Sequence, residues 1–546
     1  EFDAVVSDLV AENEKHNKSK VKEGFEGRIS LGLPADATGQ WFRGVWANHR
    51  KMANEFRGMD GFKDGGPWWE AWVRPMNEQA DWEAERVAAE NTRLGELFAT
   101  YSSTEFSDTL PLVGDALSDQ ILPDTRLYQR RSYPNVPRGR DDLRGATLSK
   151  SEIIMIALNW GNADNRLRVK DGFGWEDSHV EELLDTLDGR DWKFIQDTWD
   201  YIDSFWGEIK AKEERVFGVA PDKVLALPLT NKYGSFRGGY FPIKFSRDFS
   251  GKSFQQGQAD IFDKMKAGAF GHATTARAHT KARLDAAGEK PIHLSFDVIF
   301  EHITAVVHDL AWHENLRDTS KLLNDKRITD SIIDNQGVEV LGELQNGLQD
   351  IAAGDMQGIS RMDQVFNYLR SGVSIAAMGW NLGTALLQPF GITQGMVRVG
   401  PKWVMKGMNQ WIGSAARMQS VTDDMYAESS FMRLRSQTMN REINEIRNKI
   451  GTAGFAGKAA LQFRETFFYM IVKAQLIADT PIWLGAKEKA LASGFAPDVA
   501  IAHADQAVID SQGSGHIKDL ATVQRGSPMK KLFTNFMSYF QTTFNL

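Results

Sequence analysis

The feature that most constrains this chain is the spacing of its apolar residues. Over most of its 546 residues they recur at three- and four-residue steps, the period of a helix with one buried face. The clearest run lies at 178–217, with Leu183, Leu184, Leu187, Phe194, Ile195, Trp199, Ile202, Phe205 and Trp206. Residues 41–100 repeat the pattern around Trp41, Trp46, Trp68, Trp69, Trp72 and Trp82, with a break at Gly65-Gly66-Pro67. Residues 292–370 repeat it again. The period changes once, at 223–245, where Val224, Leu225 and Leu227 precede Tyr233-Gly234 and Tyr240-Phe241-Pro242-Ile243; this reads as a β-hairpin or extended arm. The expected fold is mainly α: an elongated multi-helix bundle with a small β-hairpin or extended arm near 223–245.

Local signals divide the chain further. Residues 1–102 read as a Trp-rich helical region. Residues 103–148 read as an irregular connector, with Pro111, Pro123, Pro134 and Pro137 among arginines. Ser149 and Glu152 have capping-box spacing and open a helix to about Asn159. A helical domain with the β arm is expected over 149–290, a second helical domain over 291–450, and a C-terminal helical region over 451–546. Met432, Met439, Ile443, Ile446 and Ile450 form a short heptad seam ending at Gly451. Glu1 at the start, and an apolar helical pattern that runs to Leu546, read as cut ends of a longer chain.

Composition excludes several classes. The net charge of -8 argues against a dedicated nucleic-acid binder, which carries a basic face. With Cys 0 there are no disulfides, thiolate metal sites or cysteine nucleophiles. Sixteen Trp and 32 Phe fill cores and also suit inter-subunit contacts or membrane interfaces.

Three segments are candidates for function. The uncharged stretch 371–397 contains Gly379, Trp380, Gly383, Leu386, Leu387, Pro389, Gly391 and Gly395. It is long enough to cross a bilayer, and its two GxxxG spacings allow close helix packing. It is read either as a buried helix broken at Pro389 or as a segment that later enters a membrane. The helix expected from Pro528 opens with Lys530 and Lys531 and carries Phe533, Phe536 and Phe540 on one face. A basic flank with an aromatic face suits a partner helix, a membrane surface or the core of a larger domain. His302, Asp309 and His313 share a helical face at i, i+7 and i+11 and could hold a divalent metal, or Asp309 and a histidine could pair across a bundle. No HExxH motif accompanies them, and no cofactor is expected. Gly251-Lys252-Ser253 matches only the end of a phosphate-binding loop, since Ser246 replaces its first glycine. Neither a GxSxG elbow nor any other complete catalytic motif occurs, and the chain is not expected to be an enzyme.

Four stretches resemble the large polyvalent and internal virion (ejection) proteins of tailed bacteriophages. They are Ala157-Leu158-Asn159-Trp160-Gly161-Asn162 with Asn165 and Gly172-Phe173-Gly174-Trp175; Gly238-Gly239-Tyr240-Phe241-Pro242-Ile243; Val307-His308-Asp309-Leu310-Ala311-Trp312; and a closing run from Asp505-Gln506-Ala507-Val508 through Ser511 to Gly515, Lys518-Asp519-Leu520, Gln524-Arg525-Gly526 and Lys531-Leu532-Phe533-Thr534. The resemblance covers roughly residues 150–546 and brings no catalytic residues. It implies a protein packaged in the capsid interior or tail and delivered into the host envelope or cytoplasm. The expected role is an ejection component that oligomerises into a conduit for the genome. Expected partners are further copies of itself, other virion proteins (portal, tail or ejection proteins), phage DNA passing through, and a host membrane. The alternative is a virion-delivered effector, such as an anti-defence protein, or a scaffold part of a larger polyvalent protein.

Overall fold

A computed structural model describes residues 2–23, 50–63, 65–102, 128–129, 147–148, 150–243, 292–294, 296–353, 391–438, 458–514 and 516–521. Helices hold 78% of the described residues, so the chain is mainly α. It divides into two compact units: one formed by 1–85, 315–449 and 455–546, the other by 86–314 and 450–454.

In the first unit, α1 (Phe2–Glu23) and α2 (Met52–Met59) lead to a π-helical turn (Trp69–Val73) that runs into α3 (Arg74–Ser102). The break expected at Gly65-Gly66-Pro67 is present. Gly61, Phe62 and Gly65 all take positive φ, and the Asp60 carboxylate accepts the N–H groups of Trp68 (3.0 Å) and Trp69 (2.7 Å), capping the next turn. Behind this cap Trp72 stacks against both Phe56 and Trp68, which also face each other, and Trp68 Nε1 donates to Leu9 O at 2.8 Å, tying the turn to α1. Trp68, Trp69 and Trp72 are therefore interior packing, whereas Trp82 is exposed, and Trp41 and Trp46 lie outside the described residues.

In the second unit, α4 (Lys150–Asn159) and α5 (Ala163–Phe173) precede three helices where one long stretch, 178–217, was expected: α6 (Asp177–Leu184), α7 (Gly189–Asp203) and α8 (Trp206–Phe217). The division follows from Asp188, whose carboxylate accepts the Arg190 and Asp191 N–H groups while Asp191 Oδ2 accepts the Asp188 N–H, a reciprocal capping box that restarts the helix. The expected hairpin forms as β3 (Leu229–Asn231) and β4 (Gly234–Phe236), in register Leu229↔Phe236, after a two-stranded pairing of β1 (Tyr128–Gln129) with β2 (Thr147–Leu148). The Asn231 side chain accepts the Tyr233 N–H at 2.8 Å and closes the turn. This unit's core gathers around Phe98, Phe194, Trp199 and Phe296.

The expected helical run 292–370 is likewise divided, into α9 (Asp297–Leu323), α10 (Lys326–Gln336) and α11 (Val338–Ala353). Asp325 caps the start of α10, and Gly337 ends it at φ 102°. The chain continues through α12 (Ile392–Val399), α13 (Pro401–Trp411), α14 (Ala415–Glu428) and α15 (Ser430–Thr438) to α16 (Lys458–Ala492) and α17 (Pro497–Gln512). Helices α13 and α16 approach through glycine. A Cβ on Gly407 would stand 2.3 Å from Pro481 O, and one on Gly485 2.4 Å from Trp403 O.

Candidate functional site

The proposed metal triad is not assembled as the sequence suggested. His302, Asp309 and His313 all lie on α9, but the His302 ring packs near Tyr240 (5.8 Å), two turns from Asp309. Asp309 and His313 meet two residues of α8 instead. The Lys212 ammonium stands 2.5 Å from Asp309 Oδ2, 2.8 Å from Glu213 Oε1 and 3.2 Å from His313 Nδ1. All four side chains are buried. Burial pushes the Asp309 carboxyl up, with Lys212 opposing the shift. Glu213 and Lys212 lie almost a hundred residues upstream of Asp309, and no local spacing announces them.

Two of the resemblance-bearing stretches, at 157–165 and 238–241, meet in the second unit. Gly161 O accepts the N–H groups of Leu227 (2.8 Å) and Gly239 (2.9 Å). Asn162 Oδ1 caps α5 through Asn165 N, and Asn162 Nδ2 donates to Gly239 O. Asn165 Nδ2 donates to Asn159 Oδ1 (3.0 Å) and Phe241 O (2.8 Å). Trp199 fills the space beside Gly161 and Gly239, where a Cβ would come within 2.5 Å of the indole, and its Nε1 donates to Leu158 O. The motif asparagines and glycines thus join α4, α5 and α7 to the extended chain before 243. They serve the fold.

The closing run has the same character in the first unit. Helix α17 buries polar residues around its circumference, among them His503, Asp505, Gln506, Asp510 and Ser511. Asp510 Oδ2 accepts from Arg57 (2.9 Å) and Arg398 (2.7 Å), and Gln506 donates to Asp510 Oδ1. Burial works to raise the Asp510 carboxyl, but the two guanidinium groups outweigh it and hold it below the usual carboxylate range. Asp505 accepts from Ser429 Oγ and Trp483 Nε1, both at 2.7 Å, and burial still pushes it up to about 7. Asp81 is pushed up to about 8 by burial and by the negative charge of Asp505. Trp69 stacks on His503 at 4.7 Å. Asp479, at the centre of α16, pairs with Arg435 at 2.8 Å, and Arg435 Nη1 donates to Gly513 O.

Of the segment 371–397, only Gly391 and Gly395 among the named glycines fall in the described residues. Gly391 O accepts from Gln512, and a Cβ on Gly395 would strike Ile482, so this end packs α12 against α16 and α17. Gly379, Trp380, Gly383, Leu386, Leu387 and Pro389 lie outside the described residues, as do Lys530, Lys531, Phe533, Phe536 and Phe540, Gly251-Lys252-Ser253, and the heptad seam from Met439 onward. Among the described residues, no helix is long and apolar enough to cross a membrane. No family model, curated protein or solved structure matches the chain.

Proposed function

We propose that this chain is a structural protein of a tailed-phage virion, an internal ejection component that oligomerises into a conduit for genome delivery. The observation that carries the reading is where its distinctive residues go. The asparagines and glycines of 159–165 and 238–241, and the polar residues of 505–519, hold helices together inside the two units. A chain that spends its most characteristic residues on internal bracing suits work as a building part.

Two physical features support delivery through a narrow tail. Ion pairs such as Arg57–Asp510–Arg398 and Arg435–Asp479 lie in the interior, where desolvation cancels much of their attraction, so they add little net stability over apolar packing. A helical, cysteine-free chain has no disulfide to break on unfolding or to mispair on refolding. In this reading the partners are further copies, portal, tail or other ejection proteins, phage DNA in transit and the host membrane. The membrane contact is assigned to the uncharged stretch 371–397 or to the helix expected from Pro528.

The test is the oligomeric mass of the purified chain by light scattering, with and without liposomes, together with liposome flotation. A defined ring-sized oligomer, or flotation lost in Gly383→Arg, supports the conduit. A monomer that ignores liposomes overturns it in favour of a virion-delivered effector.

A further inference from the structure

In the second unit, four buried titratable side chains converge on one point. Glu213 comes from α8, and Asp309 and His313 come from successive turns of α9. Their ligand atoms all lie within 4.8 Å of one another. Lys212 Nζ lies among them, 2.8, 2.5 and 3.2 Å from Glu213, Asp309 and His313. The ammonium is a cation held by one imidazole nitrogen and two carboxylates, which is the donor set of a transition-metal site. We propose that Glu213, Asp309 and His313 form a divalent-cation site, for which Lys212 is the resident competitor.

Charge balance favours the exchange. Two carboxylates facing one ammonium leave a net negative charge in a place where Asp309 and Glu213 have only 6% and 8% of their side-chain surface exposed. Asp309 Oδ1 has no hydrogen-bond partner and lies 3.6 Å from His313 Nδ1. Nearby charges do not offset the net negative charge fully. Arg215 is engaged bidentately by Glu314 at 2.7 and 2.9 Å, and the His308 ring is a further group that acts on Asp309. A divalent ion in place of the ammonium brings the trio to neutrality.

Geometry permits the exchange with small movements. Zinc bonds of about 2.0–2.2 Å to nitrogen and oxygen place tetrahedral donors roughly 3.4 Å apart, and Asp309 Oδ1 and His313 Nδ1 already stand close to that spacing. Phe217, with its ring 5.8 Å from the His313 ring, walls the site with apolar surface. Because the site is closed, the ion enters as α8 and α9 dock during folding, and once bound it ties the two helices together.

The test refolds the full chain from urea in Zn²⁺, removes free metal by gel filtration and measures bound zinc. One zinc per chain is expected in the wild type, lost in Asp309→Asn and in His313→Gln. In Lys212→Met, which removes the competitor and keeps its apolar stem, the zinc dissociation constant should fall by about tenfold, the scale on which groups around a metal tune its affinity. Wild-type chain that retains no zinc overturns the proposal even if Lys212→Met binds it, because lysine is then the permanent occupant. Zinc retained equally by Asp309→Asn also overturns it, by placing the metal elsewhere.

Discussion

Asp505 offers a sharp test of the buried polar interior of the first unit. Its carboxylate is buried on α17 and takes hydrogen bonds from Ser429 and Trp483, yet burial leaves it at about 7, where an aspartate in water titrates near 3.8. Because the folded-state value is raised, the stability linked to this group is complete below the unfolded value and is lost as pH rises through about 7. A tenfold change in an ionisation constant corresponds to about 1.4 kcal/mol, so burying this group costs the folded state on the order of 4 kcal/mol near pH 8.5 and less than half of that near pH 5. Asp505→Asn keeps an oxygen that accepts from both Ser429 and Trp483 and cannot ionise. It should therefore gain roughly 3 kcal/mol more, relative to wild type, near pH 8.5 than near pH 5. Urea unfolding at the two pH values, followed by hydrogen exchange of α17, reads this difference. A variant whose effect is the same at both pH values, or worse at the higher one, refutes a strained ionised Asp505.

Asp510→Ala should cost about 3–5 kcal/mol in urea unfolding, because it strands the buried guanidinium groups of Arg57 and Arg398. The exposed pair Arg327–Asp3 supplies the contrast, and Asp3→Ala should leave the urea midpoint unchanged within error. Gly161→Ala should destabilise the second unit by about 1–3 kcal/mol, since its Cβ would meet the Trp199 indole at 2.5 Å and Gly239 N at 2.8 Å. Hydrogen exchange should show lost protection in α4 and α7 in that variant, with α17 unchanged.

The helical class and the hairpin near 229–236 were legible because each is written in local periodicity. Helix ends were less so. The runs 178–217 and 292–370 kept their apolar spacing across real breaks, and the signals for those breaks were single residues: Asp188 with Asp191, Asp325, and Gly337. The Asp188/Asp191 spacing was readable as a capping signature, but apolar residues on both sides of it masked the stop. From His503 to Ser511 helix α17 is buried throughout and carries polar residues in all directions, so no single apolar stripe marks it. The cluster at Lys212 was illegible for a different reason. Its halves are a hundred residues apart and meet only when α8 docks on α9, so the i, i+7 spacing pointed to His302 while the partner that matters sat on another helix.

The motif asparagines of the second unit and the closing run of the first resolve the same physical problem in different ways, while charge is buried in both units, in the second around Lys212. In the second unit the motif asparagines bond almost wholly to main chain, at Gly239 O, Phe241 O and Met155 O, or to one another. Neutral hydrogen bonds of this kind keep their strength across pH and salt. The first unit relies on charge, with Asp510, Asp505, Asp479 and Lys51 buried together and their titration pulled in opposite directions: Asp505 and Asp479 up, Asp510 down, and Lys51 down through burial. Acidification relieves Asp505 and removes the charge that Asp510 gives to Arg57 and Arg398. The stability linked to Asp510 is present above the unfolded carboxylate value and is lost as pH falls through its own lowered value, so Asp510→Asn should weaken the first unit more at neutral pH than in strong acid. Hydrogen exchange of α17 in wild type and variant at the two pH values reads the difference. An effect of Asp510→Asn that is the same at both would refute the role given to its charge.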